Sequence, residues 1–211
     1  MVDLPISSRI LAQLRQDYSR ATLDENEKVI ETMISMLRNL NKPNGTIIKF
    51  LNEVAQMIYR NFQIREISIG LKSVQDGCFR YVAFAGIRDD AQTSLKALTY
   101  TIDDFSPDSK YGGKTISSQT QAYLAEEQPF EQGEEGTYNR PVMLKQVRQS
   151  INQNLEADYF DTFIRNRENE IIGWIEYSGT KMNEFPDMHT VKEIEMLVFI
   201  ISLALQTTVP L

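Results

Sequence analysis

Few side chains in this sequence are suited to covalent or metal chemistry. It contains one cysteine, Cys78, and one histidine, His189. A thiol–disulfide cycle needs a second thiol, and a zinc site normally needs at least two cysteine or histidine ligands. A serine–histidine–aspartate triad would have to use His189, yet the sequence lacks the Gly-x-Ser-x-Gly motif of many such hydrolases. We therefore expect no catalytic residue and no metal site, and we interpret His189 as a solvated residue or as one in the N-terminal turn of a helix.

Carboxylates are the more abundant reactive groups, and they are concentrated in one segment. The chain carries a net charge of −7. Between Asp103 and Glu135 there are eight acidic residues and two lysines, so this segment alone carries −6. Its adjacent pairs, Asp103-Asp104 and Glu126-Glu127, offer the oxygen ligands that a hard cation prefers, but such a run more simply forms a solvated surface. The rest has no basic stripe, which argues against nucleic-acid binding, since phosphate contacts need clustered lysine and arginine.

Length and composition limit the class of protein. With 211 residues, 42 % of them hydrophobic, the chain fits one domain with or without a helical extension, and its core can hold a ligand cavity. The N-terminus lacks the basic and apolar regions of a signal peptide. The longest apolar run, Met196 to Leu205, is half the roughly 20 residues that span a bilayer. A lone cysteine also favours a reducing compartment. We therefore predict a cytoplasmic protein without membrane insertion.

The elements that must position any site begin with helices. Residues 4–20 show an amphipathic helical pattern, and a second helix follows Thr22 or Asp24. In the second helix the apolar residues repeat like the core positions of a coiled coil, at Leu23, Ile30, Met33, Leu37 and Leu40, with Asn26 at the missing position. Two interpretations stay open: pairing with a partner helix, or packing on the chain's own domain. Because Pro43-Asn44-Gly45 ends this helix, we expect an N-terminal helical extension over residues 1–43 and a main domain over residues 44–211.

The main domain begins with a helix from Thr46 to about Asn61, after which the apolar residues change to the period-two pattern of strands. Ile64–Val74 and Cys78–Gly86 are predicted to form a hairpin around Gln75-Asp76-Gly77, because Asp-Gly tolerates the positive φ of such turns. The first strand presents two kinds of residue to its two faces: Ile67, Ile69 and Leu71 on one, Ser68 and Gly70 on the other.

The stretch that follows is less regular. We predict a helix over Asp89–Leu98 and a third strand near Leu98–Ile102. Two further helices are predicted over Ser117–Glu127 and Val142–Leu155, the second with a thin apolar face.

The most strongly patterned stretch is Asp161 to Gln206. It begins with a β-hairpin around Asn166–Asn169 and continues, from Asp187, as a long apolar helix. One stripe of this helix has the spacing of a packing seam: Ile194, Val198, Ile201 and Leu205. Other apolar residues make the helix apolar nearly all round, and such a helix is covered on more than one side. We expect the sheet to cover one side and an N-terminal helix or a second subunit to cover the other, and we predict a homodimer in which these four residues contact the second subunit.

This order of elements resembles the GAF domain, a family of small ligand-sensing modules built on a central antiparallel sheet, over roughly residues 44–206. Ile172-Gly173-Trp174-Ile175 matches the family's "iGvl" strand, and Phe185 followed by Asp187 matches its entry into a final apolar helix. The segment TISSQTQAYLAEEQPF (115–130) is placed like the one that lines the family's pocket. The resemblance implies an α+β fold with N- and C-terminal helices on one sheet face. It also implies a lid of loops and short helices, residues 103–158, over a ligand on the other face.

The resemblance further implies that the lid contributes ligand contacts. The aromatic and polar candidates are Tyr111, Lys114, Ser117, Tyr123, Tyr138 and Arg140. The Asn-Lys…Phe…Asp-Glu signature of cyclic-nucleotide GAF domains is matched only in part, by Thr180-Lys181 and Phe185, and an acidic lid repels phosphate. A neutral, cationic or aromatic ligand is therefore favoured, while the sequence names no cofactor. Cys78 lies on the second strand and not in the pocket segment, which argues against covalent bilin attachment.

We thus expect a regulatory, signal-sensing module without enzymatic activity, which binds a small molecule beneath the lid and signals through paired terminal helices. The alternative is a ligand-free dimerisation or protein-interaction domain on the same fold. A filled pocket, with Trp174 and Phe163 facing inward and no cavity, would favour that alternative.

Overall fold

The computed structural model describes residues 25–42, 45–106, 109, 112–127 and 130–208. Within these ranges the chain forms four α-helices: α1 (Glu25–Leu40), α2 (Ile47–Asn61), α3 (Asp89–Ala97) and α4 (Met188–Thr208). The strands are β1 (Ile67–Lys72), β2 (Phe79–Ala85), β3 (Lys114–Thr115), β4 (Thr120–Tyr123), β5 (Tyr159–Arg165) and β6 (Ile171–Tyr177). Short 3-10 helices lie in the connection between α3 and β5, at Ile102–Phe105, Glu135–Thr137 and Pro141–Met143. The fold class is α+β, as predicted.

The described strands form one antiparallel sheet in the order β2-β1-β6-β5-β4-β3. Both predicted hairpins are confirmed. The first turns through Gly77, whose φ of +72° suits a residue without Cβ. The second turns through Asn169, with a φ of +64°, a conformation that asparagine tolerates better than most residues. Pairing of β1 with β6 sets the two hairpins side by side, so the centre of the sheet comes from the two segments with the clearest strand pattern.

One face of the sheet packs against α2 and α4. The predicted alternation of β1 is confirmed, because Ile67 and Ile69 are completely buried in the core that the helices share with the sheet. From α2, this core receives Leu51, Val54 and Ile58, spaced three and four residues apart as a helical face requires. The side chain of Thr46 caps α2 by accepting a hydrogen bond from the Lys49 N–H at 3.2 Å.

Helix α1 packs against α2 through a stripe that differs from the predicted one. Its buried residues are Val29, Met33, Met36 and Leu40. The predicted seam shares Met33 and Leu40 with this stripe but also included Ile30, which is 51 % exposed. The part of α1 that buries apolar surface therefore does so against the chain's own domain. The predicted helix over residues 4–20 and the positions Thr22, Leu23 and Asp24 lie outside the described residues.

Three predictions for the middle of the chain are wrong. Residues 98–102 contribute a single bridge, Tyr100 to Phe79, and not a strand. The segment predicted as a helix over Ser117–Glu127 contains β4, because pairing with β5 holds it extended. Val142–Leu155 has one 3-10 turn and no α-helix. The apolar residues that suggested its helical face, Val142, Val147 and Ile151, are 75–87 % exposed.

Helix α4 is buried on its sheet side by the same residues that were predicted to contact a second subunit. Ile194, Val198, Ile201 and Leu205 are each at most 8 % exposed and belong to the core of their own chain. Their assignment to a subunit contact is therefore wrong, since the sheet already covers them. The outward side of α4 carries other apolar residues, Met196, Phe199 and Leu203, with Phe199 62 % exposed. None of the described helices is long and apolar enough to cross a bilayer.

Candidate functional site

The second face of the sheet, together with α3 and the connection from α3 to β5, encloses a cavity of about 280 Å³. The lid predicted from the sequence, residues 103–158, makes up most of this connection. Strands β1, β2, β4, β5 and β6 all contribute residues to the floor, and the 3-10 helices Ile102–Phe105 and Glu135–Thr137 contribute to the walls. Sheet alternation thus gives each strand two functions: one set of side chains packs on the helices, and the other faces the cavity.

Aromatic rings fill one end of this space. Trp174 is 1 % exposed, and its ring centroid lies 5.0 Å from that of Tyr81 and 5.2 Å from that of Phe105. The neighbouring strand makes room for the indole at Gly70, where a Cβ would lie 2.1 Å from the ring. Phe163 joins the same cluster through Phe105, at 5.7 Å. The inward-facing aromatic residues therefore occupy part of the lid side and leave the cavity beside them.

Two carboxyl groups lie at the centre of the floor. Asp161 on β5 stands directly opposite Glu176 on β6, and both line the cavity. Glu176 accepts hydrogen bonds from the Ser68 hydroxyl at 3.0 Å and from the Tyr81 hydroxyl at 2.7 Å. Asp161 is only 5 % exposed, and its Oδ1 has no hydrogen-bond partner among the described residues.

Burial shifts the protonation of both groups. Burial raises the pKa of Asp161 well above its ordinary value, and the nearby Glu176 carboxylate raises it further, while the Tyr123 hydroxyl acts in the opposite direction. Burial also raises the pKa of Glu176, against the lowering effect of hydrogen bonds from Tyr81 and Ser68. Burial, with Glu176 close by, raises the pKa of the Tyr81 hydroxyl in turn, so Tyr81 stays a hydrogen-bond donor at neutral pH. The floor is a place where negative charge is costly unless a cation accompanies it.

The acidic residues of the walls are different, because three of them have arginine partners. Glu66 pairs with Arg65 at 2.7 Å, Glu156 with Arg140 at 2.7 Å, and Asp158 with Arg148 at 2.9 Å. These ion pairs tie the lid to the sheet: Arg65 also reaches Asn154, and Arg140 reaches Asn183. Among the described residues no group of three cysteine, histidine or acidic side chains is placed to hold a metal ion.

Of the six ligand residues predicted from the sequence, two line the cavity: Tyr123 and Tyr138. Tyr123 stacks on Tyr159 with ring centroids 4.3 Å apart, which fixes its position at the cavity edge. Tyr111 lies outside the described residues.

The other three predicted residues lie outside the cavity lining. Lys114 is on the outer strand β3, has a side chain that is 73 % exposed, and pairs with Glu127 at 3.5 Å. Ser117 forms a hydrogen bond to Glu195 of α4, on the helix side of the sheet. Arg140 is held by Glu156. Their placement gives no support to a ligand contact, because each side chain is directed to a protein partner.

The central acids Asp161 and Glu176 were missed as site residues, although the sequence contained a signal. Aspartate and glutamate are uncommon inside strands. Asp161 lies two positions from Phe163, and Glu176 lies two positions from Trp174. Because residues two positions apart in a strand share a face, each acid lies on the same face as an inward-facing aromatic residue. Among the described residues of the acidic run 103–135, Asp104 and Glu134 are the two acids that line the cavity.

Neither a family model nor a curated protein matches the chain. Solved structures do share its architecture. The GAF domain of an Acinetobacter phosphoenolpyruvate-protein phosphotransferase is 9 % identical, with a TM-score of 0.54 over 85 % of this chain and 94 % of that one. A GAF domain/HD domain protein from Geobacter sulfurreducens is 12 % identical, with a TM-score of 0.55 over 81 % and 96 % of the two chains.

A phycoerythrobilin-bound GAF domain from a cyanobacterial phytochrome is also 12 % identical, with a TM-score of 0.54 over 88 % of this chain and 95 % of that one. The chain has the GAF fold. The resemblance inferred from the sequence is thereby confirmed at the level of architecture. In this GAF fold the terminal helix α4 and the helix pair α1–α2 cover one sheet face, and the lid covers the other.

Proposed function

We propose that this GAF-fold chain is a regulatory module whose cavity binds a small molecule. The observation that supports this function is the cavity itself. Its volume of about 280 Å³ is just below the roughly 300–1,000 Å³ of typical ligand sites, which suits a small metabolite. A ligand-free domain with a filled pocket was the alternative. The cavity that remains beside Trp174 and Phe163 favours the sensing function over that alternative. A regulatory role without catalysis, in the cytoplasm, is part of the proposal.

A hydrogen-bonded path connects the cavity strands to the terminal helix. The Thr120 hydroxyl donates to Glu195 of α4 at 2.7 Å and lies 2.9 Å from the Thr162 hydroxyl. Thr162 in turn lies 3.3 Å from the hydroxyl of Tyr177 on β6, a residue that borders the cavity and whose side chain belongs to the core on the helix side of the sheet. Ser117 bonds to the same Glu195 carboxylate from the lid. A ligand that shifts β4, β5 or β6 would therefore change the contacts of Glu195 and the position of α4.

The output surface that we propose is the outward stripe of α4, paired with the same stripe of a second copy. Met196, Phe199 and Leu203 follow one another at spacings of three and four residues and are 46–62 % exposed. In a twofold dimer the same patch is used by both copies, so one helix stripe suffices. In this proposal the outward stripe is the subunit contact, in place of the residues of α4 that face the sheet.

The experiment that tests the sensing function is native mass spectrometry of the chain purified from its own host without denaturation. We expect a retained small molecule of defined mass. Its position is tested by Thr137→Trp, which places a large ring at the cavity wall. The matched control is Thr115→Trp on the exposed strand β3, outside the cavity lining.

The wild type and Thr115→Trp should retain the molecule, and Thr137→Trp should lose it. No retained molecule in any sample, or equal retention by both variants, would count against a ligand-binding cavity.

A further inference from the structure

The charged side chains in the described part of the cavity lining are all acidic. Among the residues that the structure describes, the lining includes seven with carboxyl groups and none with a basic side chain: the acids are Glu66, Asp104, Glu134, Glu156, Asp158, Asp161 and Glu176. An enclosed space lined by one sign of charge raises the local concentration of the opposite charge. The lining therefore selects against anions before any specific contact forms.

Protein cations already neutralise part of this charge, but only at the walls. Arg65, Arg140 and Arg148 each pair with one wall carboxylate at 2.7–2.9 Å. Asp161 and Glu176, at the centre of the floor, have no such partner among the described residues. The partners of Glu176 are the neutral hydroxyl groups of Ser68 and Tyr81.

Asp161 provides the second, independent observation. The residue is only 5 % exposed, and its Oδ1 accepts no hydrogen bond in the described part of the chain. Buried acceptors are nearly always satisfied, so a carboxylate that lines the cavity and has an oxygen without a donor calls for a donor from outside the protein. A donor that also carries positive charge would satisfy the hydrogen bond and the charge together.

The remaining lining suits the organic part of such a ligand. Eight aromatic residues of the described chain line the same space: Tyr81, Tyr100, Phe105, Tyr123, Tyr138, Tyr159, Trp174 and Tyr177. Aromatic faces attract ammonium groups and pack against hydrocarbon. A bare metal ion would gain little from them, and the described residues offer it no group of three ligands.

We propose that the cavity binds a small organic ammonium, whose charged group lies between Asp161 and Glu176 and donates a hydrogen bond to the Asp161 carboxylate. This inference rests on the proposed function, because it names the class of molecule that the cavity senses. It goes beyond the preference for a neutral, cationic or aromatic ligand by committing to the cation and to the two residues that recognise it.

The test uses three probes of similar shape that differ in charge: 2-phenylethylamine, 2-phenylethanol and 3-phenylpropionate. Binding to the full chain is measured by calorimetry at neutral pH and physiological ionic strength. We expect the amine to bind at least about tenfold more tightly than the alcohol, and the carboxylate to bind more weakly still. In Asp161→Asn the advantage of the amine over the alcohol should fall to within about threefold.

The control variant is Glu168→Gln, which removes one negative charge from the exposed turn between β5 and β6. It should keep the preference for the amine, since its effect on the cavity is long-range and screened. Thermal unfolding of both variants verifies that they are folded.

Equal or tighter binding of the alcohol or the carboxylate, or a preference for the amine that survives in Asp161→Asn, would overturn the inference and leave the sensing function standing. Failure of all three probes would also overturn it. In that case the host-purified protein decides the proposed function: a retained neutral or anionic molecule supports a sensor of another class, and no retained molecule removes both proposals.

Discussion

Asp161 and Glu176 occupy directly opposed positions on β5 and β6, with both carboxyl groups on the cavity side of the sheet. Like charges in opposed positions destabilise an antiparallel pair, and burial disfavours the charged form of each. Apolar neighbours such as Phe163 and Trp174 show what this face of the sheet otherwise contains. The two carboxyl groups therefore lower the stability of the sheet at this position, as is expected where a binding site is built into a protein core.

The first prediction is that Asp161→Asn stabilises the ligand-free protein at neutral pH. The pKa of Asp161 is raised in the folded state, chiefly by burial and then by Glu176, so the folded state binds more protons than the unfolded state. Stability is then greatest below the ordinary aspartate pKa of about 4 and falls as pH rises toward the raised value. At pH values above the raised pKa, this contribution to the free energy of unfolding is lost completely. Removing the carboxylate should raise the melting temperature at neutral pH by about 2–4 °C, which is about 1 kcal/mol for a chain of this size.

The measurement is thermal unfolding of wild type, Asp161→Asn and Glu168→Gln between pH 4 and pH 8. The titratable groups that interact with Asp161 include Glu176, Tyr81, Tyr123 and Tyr159, and they are unchanged in both variants. Asp161→Asn should flatten the decline of stability with pH, while Glu168→Gln should follow the wild type. A melting temperature that falls at neutral pH in Asp161→Asn would mean that the carboxylate has a stabilising partner.

The second prediction concerns the attachment of the lid. Arg140→Met leaves the Glu156 carboxylate, whose side chain is 0 % exposed, without its cation. Breaking a buried pair costs about 3–5 kcal/mol, and the partial exposure of Arg140 reduces this to about 1–3 kcal/mol. Urea unfolding of Arg140→Met, Glu156→Gln and the double variant measures the coupling. The double variant should be more stable than the sum of the two single losses implies, and simple additivity would show that the pair contributes nothing.

The parts of the fold that were predictable from the sequence are those with local signals. The Asp-Gly turn between β1 and β2 and the asparagine turn between β5 and β6 each carry a residue at positive φ, and the strands beside them alternate. The buried stripe of α4 was also identified correctly, at Ile194, Val198, Ile201 and Leu205. Periodicity alone does not say what covers a stripe, and here it is the sheet and not a second subunit.

The lid was not predictable because its structure depends on distant partners. Thr120 is extended since it pairs with Thr162, 42 residues later. Ser117 and Arg140 are engaged by Glu195 and Glu156, which sequence spacing does not connect to them. The cavity acids were not predictable for the same reason. Asp161 and Glu176 form a site only when the register of the hairpin places them opposite each other.

The third prediction uses the one tryptophan of the chain as a reporter of the cavity wall. Gly70→Ala would place a methyl group 2.1 Å from the Trp174 ring, closer than any contact allows. The indole must move, at a cost of about 1–3 kcal/mol for an overpacked core. We expect lower stability and a shift of tryptophan fluorescence to longer wavelength as Trp174 moves toward solvent. Gly136→Ala is the control, since its nearest new contact is the Ser94 hydroxyl at 3.4 Å. Unchanged fluorescence in Gly70→Ala would contradict the packing of the ring on Gly70.

The fourth prediction separates the two sides of α4. Phe199 is 62 % exposed, whereas Ile201 is completely buried against the sheet. If α4 pairs with its copy through the outward stripe, Phe199→Glu should give a monomer by light scattering with a nearly unchanged melting temperature, because a charge at a subunit contact is desolvated only in the dimer. Ile201→Glu should instead unfold the chain, because it buries a charge in the core. The matched surface control is Ile151→Glu, an equally apolar residue that is 87 % exposed on the lid and should leave the dimer intact. A dimer that persists in Phe199→Glu would move the subunit contact away from the terminal helix and remove the proposed route of the signal.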